Sequence, residues 1–221
     1  MNLPNYLTIS RILCVPILLW VMLSGYFSSV HGEKEIIASL IFILASITDG
    51  FDGYLARRRK QITTMGMLLD PLADKLLVSA AFIALVQLNP HVVPAWVAVV
   101  IIGREFLVSG LRSIAAGEGF TIEASDLGKF KTVVQIVTVV AAILAHRWDA
   151  WYFGPITIPV DLFAHMAVWY TVAVSIISAT DYFVGFWSKV EKTATVRRKR
   201  RAFILSRRDK EKKTQQQASL P

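Results

Sequence analysis

Long apolar stretches, separated by short polar or charged segments, recur along the whole chain, and polar positions are few inside them. A helix needs about 20 such residues to cross a hydrocarbon core of about 30 Å. Six stretches reach that length, at roughly residues 5–28, 35–57, 66–87, 92–116, 127–147 and 162–187. They predict an all-α polytopic membrane protein with six transmembrane helices. The N-terminus, Asn2-Leu3-Pro4-Asn5-Tyr6-Leu7-Thr8-Ile9-Ser10-Arg11, mixes polar and apolar positions before the first fully apolar run. That mixture predicts a short interfacial helix leading into the first span. After the sixth span the pattern breaks. The expected division is a membrane domain at 1–188 and a basic, disordered cytoplasmic tail at 189–221, attracted to anionic head groups.

Composition agrees with the pattern. A 221-residue chain with 54% hydrophobic residues and a mean hydropathy of +0.51 is too apolar for a soluble domain. The single cysteine, Cys14, excludes an intramolecular disulfide and sits in an apolar run, where it serves packing. The first span is long, contains Arg11 and lacks a small-residue cleavage site, so it is expected to be retained rather than cleaved as a signal.

A net charge of +8 would suggest nucleic acid in a soluble protein, but its placement argues otherwise. Half of the basic residues fall between Lys189 and Lys213, and Arg57-Arg58-Arg59-Lys60 fill the connection after the second span. The 28–35 and 148–161 loops carry no comparable surplus. The positive-inside bias therefore puts both termini and the 57–60 connection in the cytoplasm, with membrane lipid and no nucleic acid as partner.

Four carboxylates interrupt the apolar background in D-G-F-D-G-Y-L-A-R and, eight residues on, G-M-L-L-D-P-L-A-D. On a helix Asp49, Asp52, Gly53 and Ala56 share one face, as do Gly66, Asp70 and Asp74. Both groups fall near the cytoplasmic ends of their spans. Unpartnered carboxylates in a low-dielectric layer are costly, and hard divalent cations with oxygen ligands are the natural partner. Gly53 leaves room for close approach to the helix backbone, and Arg57 offers a planar fork suited to phosphate. Arg58, Arg59 and Lys60 are explained by topology alone.

A second set of polar residues lies further along. Gly103-Arg104-Glu105-Phe106 and Arg112 fall in the fourth span, and Lys129-Phe130-Lys131-Thr132 with Gln135 open the fifth. Arg104, Arg112, Lys129 and Lys131 converge on the cytoplasmic side and suit a small anion such as a phosphate ester. The structural alternative is an Arg104–Glu105 network with interfacial lysines.

The pattern D-x2-D-G-x2-A-R-x8-G-x3-D-x3-D resembles, at every fixed position, the signature of the CDP-alcohol phosphatidyltransferase family. G-R-E-F-x4-L-R followed by K-x-K-T-x2-Q is similar to the bacterial branch that makes phosphatidylglycerophosphate, and N-x-L-T-x2-R is shared with that branch and the cardiolipin-forming one. The resemblance implies CDP-diacylglycerol as donor, CMP as leaving group and sn-glycerol 3-phosphate as acceptor. It implies that Asp49, Asp52, Asp70 and Asp74 hold two divalent cations, Mg²⁺ or Mn²⁺, with Asp74 also the general base. Gly53, Ala56, Arg57 and Gly66 would border the donor, with Thr8, which otherwise anchors the N-terminal helix at the interface. Arg112, Lys129, Lys131 and Arg104 would hold the glycerol phosphate. A homodimer in the bacterial cytoplasmic membrane, with the active site facing the cytoplasm, is the implied assembly.

Two other readings share these residues. The acceptor of a cardiolipin, phosphatidylinositol phosphate or phosphatidylserine synthase would suit the acidic motif equally. A neutral acceptor or serine, however, would not need the Arg112, Lys129 and Lys131 cations. A divalent-cation transporter would leave Gly53, Arg57 and Gly66 unexplained and would place its ligands near the bilayer midplane.

Overall fold

The computed structural model describes the backbone of residues 3–26, 31–59, 64–118, 120, 126–153 and 156–218. Side chains are described over 9–26, 31–48, 72–73, 75–118, 120, 130–152 and 157–191. The fold is helical throughout: α1 (Leu3–Leu23), α2 (Glu33–Arg59), α3 (Thr64–Leu88), α4 (Ala95–Gly117), α5 (Asp126–Ala145) and α6 (Val160–Ala218).

The helices stop where the chain chemistry forbids continuation. Gly25 follows α1, and Asn89-Pro90 follows α3, where the ring of the proline disfavours helical geometry at the residue before it. Pro94 and Pro159 precede α4 and α6, where their fixed φ suits a helix start. Gly32 leads into α2 with φ +80°, the left-handed region that favours glycine, and its carbonyl accepts from the Ile36 amide at 3.0 Å.

Three sequence expectations change here. The interfacial helix and the first span are a single element, α1, since nothing between Arg11 and the apolar run breaks the helix. The expected 148–161 loop contains a short antiparallel hairpin, β1 (Trp151–Phe153) and β2 (Ile156–Ile158), with Trp151 paired to Ile158 and Tyr152 to Thr157. Beyond residue 188, where no regular structure was expected, the backbone of α6 continues as helix to Ala218. That stretch is rich in Lys, Arg, Glu, Gln and Ala, all strong helix formers.

The chain divides into two compact units. The first comprises Met1–Leu107 and Ala124–Ser178. Within it α1 packs on α2 and α3, and α5 packs on α2 and α3. Leu18, Phe42, Phe82, Leu85, Ile101 and Val139 are fully buried. Alanines at positions 38, 81, 142 and 164 are buried with them and let backbones approach closely. Thr138 of α5 hydrogen-bonds the Thr171 hydroxyl (2.7 Å) and donates to the Ala167 carbonyl (3.0 Å) of α6. Trp96 of α4 lies 5.4 Å from Trp169 of α6, centroid to centroid. The second unit comprises Val108–Glu123 and Ala179–Pro221 and includes the Phe120–Phe186 ring pair at 6.0 Å.

The surface is apolar to an unusual degree. Leu13, Leu44, Ile83, Val99, Val133 and Trp169 are all more than half exposed. Among the described residues, Val160–Glu191 is long and apolar enough to cross a membrane, and Ile9–Leu23, Lys75–Leu88 and Phe130–Ala145 are shorter apolar helices.

Candidate active site

The acidic motif occupies the last turns of α2 and the first turns of α3, across a connection of residues 60–63. The backbone is helical through every motif position, so positions 49 and 52 are one turn apart in α2, and 66, 70 and 74 fall at successive turns of α3. The side chains of Asp49, Asp52, Gly53, Ala56, Arg57, Gly66, Asp70 and Asp74 lie outside the described residues, as do those of Thr8 and Lys129.

The cations are described in more detail. In the first unit, Glu105 of α4 forms ion pairs with Lys131 of α5 and with its neighbour Arg104, the latter at 3.4 Å. The other arm of Arg104 donates to the Ser178 hydroxyl of α6. Lys131 is only 4% exposed and Arg104 9%, so these charges sit in a low-dielectric layer, where pairing to a carboxylate is what makes their burial tolerable. Glu105 thus links α4 to α5, and Arg104 links α4 to α6. Gln135, one turn beyond Lys131 on α5, is buried, and its amide nitrogen has no hydrogen-bond partner among the described residues.

In the second unit the Arg112 guanidinium donates to the Tyr182 hydroxyl and lies 4.9 Å from the centre of the same ring. Tyr182 is itself 3% exposed, so it gives Arg112 a fixed support. The structure therefore brings Arg104 and Lys131 together through Glu105 and sets Arg112 on Tyr182.

Sequence reading did not pair Ser178 or Tyr182 with these arginines. Each meets its arginine across 70 or more residues of chain, and no local pattern signals such a pairing. Arg11 was noted near the interface but is among the most buried side chains, 1% exposed in the middle of α1. An arginine within an apolar run was the available signal for that.

A helical membrane-type fold, a two-helix acidic motif and a buried cation cluster define a class, and comparison with known sequences agrees. The chain belongs to the CDP-alcohol phosphatidyltransferase family, whose sequence profile matches residues 1–177. Members of this family are membrane-associated and in general depend on a divalent metal. Among its relatives, the CDP-diacylglycerol–glycerol-3-phosphate 3-phosphatidyltransferase of Bacillus subtilis (strain 168) is 43% identical over 197 residues, which cover 86% of this chain and 97% of the relative. The protein of the same name from Rickettsia bellii is 38% identical over 182 residues, 82% of this chain and 93% of the relative. A probable phosphatidylglycerophosphate synthase of Mycobacterium tuberculosis (strain ATCC 25618 / H37Rv) is 35% identical over 181 residues, 82% of this chain and 79% of the relative.

Proposed function

We propose that this chain transfers the phosphatidyl group of CDP-diacylglycerol to sn-glycerol 3-phosphate, giving phosphatidylglycerophosphate and CMP. The observation that carries this reading is the near full-length identity to relatives whose names state that reaction, together with the complete acidic motif.

The donor set fits hard divalent cations, because it offers only carboxylate oxygens, spaced one turn apart on two consecutive helices. Asp49, Asp52, Asp70 and Asp74 would hold two ions, Mg²⁺ or Mn²⁺. Such ions supply neutralisation of the charge that develops on the diphosphate. The chain's own groups do the rest. Gly53, Ala56 and Gly66 leave space for the cytidine diphosphate against the helix backbones, Arg57 donates to its phosphate, and Thr8 borders the donor. Asp74 takes the proton of the acceptor hydroxyl. The hydroxyl oxygen then bonds to the phosphorus that carries diacylglycerol, and the anhydride bond to CMP breaks, with CMP keeping the electron pair.

Glycerol 3-phosphate is a dianion near neutral pH and needs cations to hold it while it reacts. Lys131 and Arg104 serve that phosphate, supported by their shared pairing with Glu105. Arg112 and Lys129 are assigned to it from sequence position alone.

The enzyme crosses the bacterial cytoplasmic membrane six times, with both termini and the active site cytoplasmic. The outward-facing large apolar side chains and the basic 57–60 connection and tail support this arrangement. A homodimer is the assembly that the family resemblance implies. An acceptor panel tests the function. Purified protein with CDP-diacylglycerol should release CMP with glycerol 3-phosphate, and not with serine, inositol phosphate or phosphatidylglycerol. Turnover with one of those instead would move the chain to another branch of the family.

A further inference from the structure

A second polar cluster lies at the other end of α3 from the acidic motif. Leu88, the last residue of α3, is 14 residues beyond Asp74, about 21 Å along the helix. His91 follows in the turn between α3 and α4, while Asp161 and His165 are one turn apart at the start of α6. The rings of His91 and His165 meet edge to face, with centroids 4.8 Å apart. One donor atom from each of His91, Asp161 and His165 lies within 4.8 Å of the other two, and this is the one such trio among the described residues.

The local bonding prepares His165 for coordination. Its Nδ1 lies 3.0 Å from the main-chain carbonyl of Asp161, one turn back, and 3.3 Å from an Asp161 carboxylate oxygen. An Asp161 carboxylate oxygen that faces Nδ1 can share an ion with Nδ1 and not with Nε2 across the ring, so Nδ1 is the ligand atom and the ion takes the place of its proton. Asp161 is held as well, since its amide donates to the Asp149 carbonyl at 3.1 Å. His91 is exposed on its turn and is the member free to adjust.

We propose that His91, Asp161 and His165 bind one divalent transition-metal ion of the zinc class, tying the α3–α4 turn to the first turns of α6. Two imidazoles and one carboxylate favour zinc, cobalt or nickel over magnesium and calcium, which take oxygen donors. Ligand bonds of about 2.0–2.1 Å at tetrahedral angles put donors about 3.4 Å apart. Asp161 and His165 already present two donors 3.3 Å apart, and a shift of the exposed His91 ring would bring the third to that spacing. Three protein ligands on a partly exposed surface leave the fourth position to water.

The test uses full-length protein in detergent, stripped with chelator and kept in excess Mg²⁺ so that carboxylate-only ligands are occupied. Titration with Co²⁺ should give one retained equivalent and the visible absorption of cobalt bound to nitrogen in a low-coordinate site, with Zn²⁺ displacing it. His91→Ala and His165→Ala should each abolish that absorption. His91→Ala should leave Mg²⁺-supported CMP release unchanged. Zn²⁺ should raise the melting temperature of the wild type and not of His91→Ala. If His165→Ala folds poorly, the exposed His91→Ala decides alone. Absence of the cobalt band in the wild type, or its persistence in His91→Ala, would overturn the proposal.

Discussion

At Lys131 two requirements meet, because a buried ammonium needs a counter-charge and an incoming phosphate needs a cation. Glu105 satisfies the first, and the proposed acceptor site uses the second. Charge-assisted hydrogen bonds contribute about 1.5–3 kcal/mol. Lys131→Met should therefore raise the KM for glycerol 3-phosphate about ten- to a hundred-fold, since each 1.36 kcal/mol is tenfold. The KM for CDP-diacylglycerol should move far less. Kinetics with each substrate varied in turn check this, and an equal rise in both constants would remove Lys131 from the acceptor site. Asp74 is argued the same way. Asp74→Asn keeps the shape but removes a proton acceptor, so kcat should fall at least about 10²–10⁴-fold in protein that remains monodisperse. Near-normal turnover would exclude Asp74 as the base. As candidates these positions were visible in the sequence because a charge inside an apolar run stands out, and so do fixed spacings such as those of the acidic motif. Ser178 and Tyr182, which accept from Arg104 and Arg112, were not. A serine and a tyrosine in an apolar helix carry no unusual signal, and only packing across 70 or more residues reveals them.

The second and third helices were legible to within two residues at each end, whereas α1 stops at Leu23, before Gly25, and not at 28. The third span was expected at 66–87 and α3 is Thr64–Leu88; the second was expected at 35–57 and α2 is Glu33–Arg59. The hairpin at 151–158 was not, because three-residue strands offer too short an alternation to register as a period. The α6 extension was missed because burial was the criterion for structure, whereas Lys, Arg, Glu and Gln favour helix without it. Gly32 gives a prediction at this scale. Its φ is +80°, and a Cβ there would run into the Trp148 ring. Gly32→Ala should therefore destabilise the fold by at least about 1–2 kcal/mol from the backbone alone. Thermal unfolding in detergent measures it, and an unchanged melting temperature would show that the turn rearranges freely.

Across the whole molecule, exposed large apolar side chains on one helix after another make lipid the expected solvent, with the acidic motif at one end of α2 and α3. The metal dependence general to the family gives a molecule-wide prediction. Exhaustive EDTA treatment should abolish activity, and Mg²⁺ or Mn²⁺ should restore it; full turnover after chelation would remove the metals from the account. The most direct measurement is the fate of labelled sn-glycerol 3-phosphate given to the purified protein with CDP-diacylglycerol and Mg²⁺. The account predicts that label enters lipid as phosphatidylglycerophosphate, one CMP is released for each lipid formed, and both are lost in Asp74→Asn. Label remaining entirely water-soluble while wild-type CMP release proceeds would contradict it.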